Sequence, residues 1–117
     1  MSLTVHTEER ADVVVVSVAG ELDMATAPQL QDQITDLLEK GHIRLVFDLS
    51  ELSFCDSTGL SVFVRARNSA DESGGVVRLA APRRGVLRIL EVSGLVEVLQ
   101  THPTVDEAVA GGTATAG

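Results

Sequence analysis

Ile43–Leu49 is apolar almost throughout, with Arg44 near its start, and helical patterning flanks it on both sides. A strand that is apolar on both faces belongs inside a sheet covered by helices twice over. Strands that alternate with helices pair in parallel, and their crossovers are right-handed. At 117 residues the chain has room for one such unit and not for two. The fold class expected is therefore α/β, a single domain over residues 1–110.

The rest of the chain fits that frame. Leu3–Glu8 alternates weakly and reads as an edge strand, and Glu9–Asp12 is a polar turn. Asp12–Ala19 is rich in β-branched residues and reads as a central strand ended by Gly20. A helix is predicted from Thr26, with Thr26 and Gln29 as a capping box and Pro28 tolerated in the first turn. Leu30, Ile34, Leu37 and Leu38 form its apolar face, and Lys40-Gly41 ends it. After Ile43–Leu49 comes a loop. A second helix follows with Leu60, Phe63, Val64 and Ala70 inward and Arg65, Arg67 and Asn68 outward, stopping at Ser73-Gly74-Gly75. Val76–Ala80 is a short strand, and Val86, Ile89 and Leu90 mark a third helix after Pro82. Val96–Leu99 is expected as the last strand and Thr104–Val109 as a final helical turn or two. The sum is a mixed, mostly parallel sheet of four to five strands with an N-terminal hairpin and four helices. Residues 111–117 are small and read as a flexible tail.

Composition narrows the function. Acidic residues outnumber basic ones 17 to 9, a net charge of −8. That balance argues against a nucleic-acid or anionic-membrane partner, both of which demand clustered cations. Only 3% of residues are aromatic, so the core must be aliphatic. The single cysteine excludes an internal disulfide and fits a reducing cytoplasm. Met1–Thr4 is not followed by the basic and apolar regions of a signal peptide. The longest apolar run, Val13–Val16, is far short of a membrane span.

The densest functional signal follows the buried strand: Asp48-Leu49-Ser50, then Phe54-Cys55-Asp56-Ser57-Thr58-Gly59-Leu60. It sets two hydroxyls and a carboxylate at a helix start, where backbone N–H groups have no partner in the helix. A hydroxyl there caps the helix or carries a phosphate, which the helix dipole favours. The residues alone leave both readings open, with capping the commoner role. Gly20-Glu21-Leu22-Asp23 with Thr26-Ala27, and Val92-Ser93-Gly94-Leu95, complete an ordered set of three motifs.

Together these motifs resemble the bacterial anti-sigma factor antagonists of the STAS domain family, over roughly Leu3 to Ala110. The resemblance implies that Ser57 is a phosphorylation site. Asp23, Asp56, Ser57, Thr58 and Gly59 would then meet a partner, with Gly59 admitting a partner backbone closely. The implied mechanism is partner switching. The unphosphorylated domain would bind an anti-sigma factor with serine kinase activity and free the sigma factor, and a serine phosphatase would reset it. The resemblance implies neither a catalytic role for this chain nor a cofactor. A phospho-regulated STAS module outside sigma control is the alternative. Cys55 departs from the family pattern, where Met or another apolar residue is common, and reads as a small buried hydrophobe.

Two rival classes start from the same residues. A hydrolase would use Ser57 or Cys55 as nucleophile but needs a base held by a third group. A phospho-aspartate receiver would be built on Asp56 but needs an acidic cluster for Mg²⁺, where only Glu21 and Asp23 follow the central strand. His6, His42 and His102 lack metal-ligand spacing and read as surface residues. Arg83-Arg84 opposes the dipole of the third helix, either as a solvated pair or as a contact for an acidic surface.

Overall fold

The computed structural model describes residues 2–112. Its elements in chain order are β1 (Leu3–Arg10), β2 (Val13–Leu22), α1 (Ala27–Glu39), β3 (Arg44–Asp48), β4 (Leu52–Cys55), α2 (Ser57–Glu72), β5 (Val76–Ala80), α3 (Arg84–Val92), β6 (Thr101–His102) and α4 (Val105–Gly112). β1 and β2 form the expected antiparallel hairpin. The remaining pairings, β2–β3, β2–β4, β3–β5 and β5–β6, are parallel. The mixed α/β sheet and four helices are as the sequence implies. The sheet has six strands rather than four or five, in the order β1-β2-β3-β5-β6 with β4 beside β2.

Strand alternation sorts the apolar residues onto two faces. Val14, Val16, Val18, Leu45, Phe47, Val77 and Leu79 face the larger core, covered by α1, α2 and α3. Phe47 meets Phe63 of α2 edge to face, with ring centroids 5.1 Å apart. Val13, Val15, Val46 and Ala80 point the other way, onto Ala108 and Val109 of α4. β2 and β3 are thus apolar on both sides because both sides are covered.

Several expectations are corrected. Gly20 does not end β2. The strand passes through it at φ +109°, slips register at Gly20/Glu21, and runs on to Leu22. That extra length offers unpaired backbone beside β2, and the chain after β3 pairs with it as β4 instead of forming a loop. Val96–Leu99 is not a strand. It is a helical turn in which Leu99 N–H donates to the Leu95 carbonyl at 2.9 Å, and the last strand is Thr101–His102. Thr26 and Gln29 form no capping box, because the Thr26 hydroxyl turns back into the preceding loop and Gln29 Nε2 donates to the Leu3 carbonyl at 2.9 Å. His6 is exposed, but His42 and His102 are half-buried, and His102 meets Arg78. Residues 111–112 close α4, and the rest of the expected flexible tail lies outside the described residues.

Candidate functional site

The carboxyl ends of β2 and β4 bring two loop segments together. Leu22 pairs with Cys55, and the Asp56 N–H donates to the Leu22 carbonyl at 3.2 Å. Asp23 follows one partner and Ser57 the other, so the β2–α1 loop and the first turn of α2 share one rim of the sheet.

Asp56, not Ser57 or Thr58, caps α2. Its backbone is extended and its Oδ1 accepts the Gly59 N–H at 3.0 Å. Ser57 is therefore the first helical residue, with an exposed side chain. Its hydroxyl makes no hydrogen bond among the described residues, while its carbonyl accepts the Ser61 hydroxyl at 3.0 Å. With capping done by Asp56, the Ser57 oxygen is left free at the positive end of a 16-residue helix.

Gly59 is buried, and its role is internal. A Cβ there would lie 2.7 Å from Leu22 Cγ and 2.8 Å from Cys55 Sγ. The space its missing side chain leaves is filled from inside the domain, not kept for a partner backbone. Thr58 is half-buried between α2 and α1.

Asp23 is half-buried and shapes its own loop. Its Oδ1 accepts the Ala25 N–H at 2.9 Å and the Thr26 N–H at 3.0 Å. Thr26 answers by accepting the Asp23 N–H at 3.0 Å and donating its hydroxyl to the Glu21 carbonyl at 2.8 Å. Such side-chain-to-backbone bonds fix an irregular loop where sheet and helix bonds are missing.

Two open grooves flank Ser57 and Thr58. One, of about 600 Å³, is lined by Ser57, Leu60, Ser61, Val64, Arg65 and Leu95. The other lies between α1 and α2 and includes Met24, Pro28, Thr58, Val62 and Arg65. Met24 is 75% exposed, an apolar side chain on a rim of hydroxyls and carboxylates. The sequence analysis did not single out Met24, and it named Leu95 only within the Val92–Leu95 motif. Met24 does carry a signal, since it falls in a loop, off any helical face.

Cys55 is fully buried, and burial, then the neighbouring Asp56 charge, pushes its thiol up to about 12. A nucleophilic thiol needs the opposite shift. The Asp56 carboxylate is engaged with the helix, and no group of three or more His, Cys, Asp or Glu among the described residues could hold a metal ion. Arg83, left open by the sequence, is held at the other end of the loop. Its Nε donates to the Ser50 carbonyl at 2.9 Å and its Nη2 meets Glu51 Oε2 at 3.1 Å. No helix among the described residues is long and apolar enough to cross a membrane.

The fold is shared with known proteins. The STAS domain model matches residues 4–108. The chain is 34% identical over 101 residues to the anti-sigma-B factor antagonist of Listeria monocytogenes, covering 86% of this chain and 89% of that one. It is 30% identical over 99 residues to the protein of the same name from Bacillus subtilis, covering 85% and 90%. The crystal structure of an anti-sigma factor antagonist from Mycobacterium paratuberculosis superimposes with a TM-score of 0.82 at 32% identity, over 95% of this chain and 94% of that one. With a family model spanning nearly its whole length and a hairpin-led mixed sheet that solved relatives share, the chain belongs to the STAS domain family.

Proposed function

We propose that this domain is an anti-sigma factor antagonist that works by partner switching in the cytoplasm, with Ser57 as its phosphorylation site. In the unmodified state it binds an anti-sigma factor that is also a serine kinase, and the sigma factor is released. The kinase, bringing its own ATP and Mg²⁺, then phosphorylates Ser57 and the complex ends. A serine phosphatase restores the hydroxyl. Asp23, Asp56, Ser57 and Thr58 face the partner, and Gly59 acts from behind by setting how closely α2 sits on Leu22 and Cys55. The observation that carries this reading is the Ser57 hydroxyl itself, exposed and without a hydrogen-bond partner among the described residues, on a helix that Asp56 already caps.

Magnitudes place the switch in the interface. A phosphate adds about −1.5 to −2 charges at pH 7. At the start of α2 the dipole stabilises it by roughly 0.3–1 kcal/mol, so the fold tolerates it. Weakening a complex 100-fold takes about 2.7 kcal/mol. A new anion beside the half-buried Asp56 and Asp23, in a surface desolvated by a partner, supplies that through repulsion and unpaired charge.

The test uses wild-type, Ser57→Ala and Ser57→Asp proteins as baits in the native cell extract. A serine kinase should be retained by wild type and Ser57→Ala and lost by Ser57→Asp, and only wild type should take up acid-stable phosphate. Stoichiometric phosphorylation of Ser57→Ala would overturn the assignment. Retention of a kinase with no link to a sigma factor would move the domain to another regulatory circuit.

A further inference from the structure

Away from the Ser57 rim, a partly satisfied polar contact lies under α4. Arg78 sits on the central strand β5, on the face that α4 covers, beside Ala80. The register pairs Ala80 with His102, which puts the histidine on the same face. Arg78 Nη1 lies 2.9 Å from His102 Nε2, and both side chains are half-buried. A guanidinium can only donate, so Nε2 must be the unprotonated acceptor and the ring proton must sit on Nδ1. Arg78 Nε is buried with no partner among the described residues. The guanidinium therefore leans on one titratable acceptor. The last turn of α4 rests directly on it, since a Cβ added to Gly111 would lie 2.8 Å from Arg78 Nη1.

We propose that the Arg78–His102 contact is an acid-sensitive latch for α4: a proton taken up at His102 Nε2 turns the acceptor into a donor, sets two cations side by side, and frees the helix from the sheet. Release uncovers Val13, Val15, Val46 and Ala80, an apolar face that α4 covers among the described residues.

The charged groups around the latch agree with that direction. Burial and the Arg78 cation hold His102 below the usual histidine range, while Glu107 of α4 pulls the other way. The groove beside His102 is otherwise lined by Pro82, Leu87, Val96, Thr101 and Pro103, none of which titrates near neutrality. Other charges on strands under α4 are held apart from His102, and one of them, Arg10, pairs with α4 itself. Arg10 of β1 holds Asp106 at 2.8 Å, Arg44 of β3 lies 3.9 Å from Asp12, and Asp48 takes the Ser50 N–H. Because the docked state binds the proton less readily than the released state, docking is fully present at neutral pH. It weakens as the pH falls below the ordinary histidine value of about 6.5.

Amide hydrogen exchange on the full chain at pH 7.5 and 5.5, corrected for intrinsic rates, reads the latch. Wild type should lose protection in α4 at the lower pH, while β2 and β3 hold theirs. His102→Gln keeps an accepting oxygen at that position without titrating and should show no pH-dependent loss. Arg78→Met removes the second cation and should shrink the loss. Unchanged α4 protection in wild type between the two pH values, or equal loss in both variants, overturns the proposal. None of these readouts depends on Ser57 or on any partner.

Discussion

The Asp56 N–H reaches the Leu22 carbonyl at 3.2 Å, so the end of β2 and the start of α2 are tied by backbone alone. The residues that follow this tie on either chain segment are Asp23 and Ser57. Their nearness does not rest on a side-chain contact between them, and a substitution at Ser57 should leave the rim standing. The side chains that hold it are Asp23, Thr26 and Asp56, and the bare Gly59 lets α2 sit close on Leu22 and Cys55.

Asp56→Ala removes the acceptor of the Gly59 N–H and should lower stability by about 0.5–2 kcal/mol in urea denaturation. Asp56→Asn keeps an oxygen in place and should cost much less. The asparagine variant thus separates the charge of Asp56 from its capping. If it binds the kinase partner normally, the carboxylate charge plays no part in recognition.

Gly59→Ala sets two effects against each other. Helix propensity favours Ala by about 1 kcal/mol. The new methyl would sit 2.7 Å from Leu22 and 2.8 Å from Cys55, both fully buried. Overpacking of that kind costs typically about 1–3 kcal/mol, and here it should win. A lower denaturation midpoint is expected, and a higher one would mean that Leu22 yields freely.

The hairpin, the buried strand and the helix faces were legible because their periodicities are local. The opening residues of α2 were singled out as the proposed site through their chemistry and their likeness to a family. What escaped depends on partners distant in sequence. Phe54 and Cys55 read as loop because β4 exists only where β2 outruns β3. Gly59 read as an opening for a partner because Leu22, which fills the space, lies 37 positions earlier by residue number. His102 read as surface because a two-residue strand leaves no periodic trace, and its Arg78 neighbour is 24 residues away. Which of Asp56, Ser57 and Thr58 caps α2 was undecidable from composition, since all three residue types do so.

Cys55 should be inert in the folded protein. Its thiol is buried and pushed up to about 12, so alkylation by iodoacetamide at pH 7.5 should proceed only after unfolding. The same shift has a stability consequence. The unfolded thiol ionises at lower pH than the folded one, so its contribution is intact below the ordinary cysteine value and fades as pH rises toward about 12. Urea midpoints should fall between pH 8 and 10.5 more steeply in wild type than in Cys55→Ala. Equal slopes would mean the thiol titrates normally.

Arg83 and Glu51 give the opposite test, an interaction that looks prominent and should matter little by itself. Their ion pair at 3.1 Å joins the start of α3 to the β3–β4 loop, but both side chains are more than half exposed. Such pairs contribute about 0–1 kcal/mol and are screened by salt. Glu51→Gln should therefore shift the urea midpoint very little. Arg83→Ala also removes the Nε–H bond to the Ser50 carbonyl at 2.9 Å and should cost somewhat more, a bond of this kind being worth about 0.5–1.5 kcal/mol. The difference should persist at high salt, because the carbonyl bond is screened less than the ion pair. If Glu51→Gln proved as costly as Arg83→Ala, charge rather than the backbone bond would be what anchors the loop leading to Ser57.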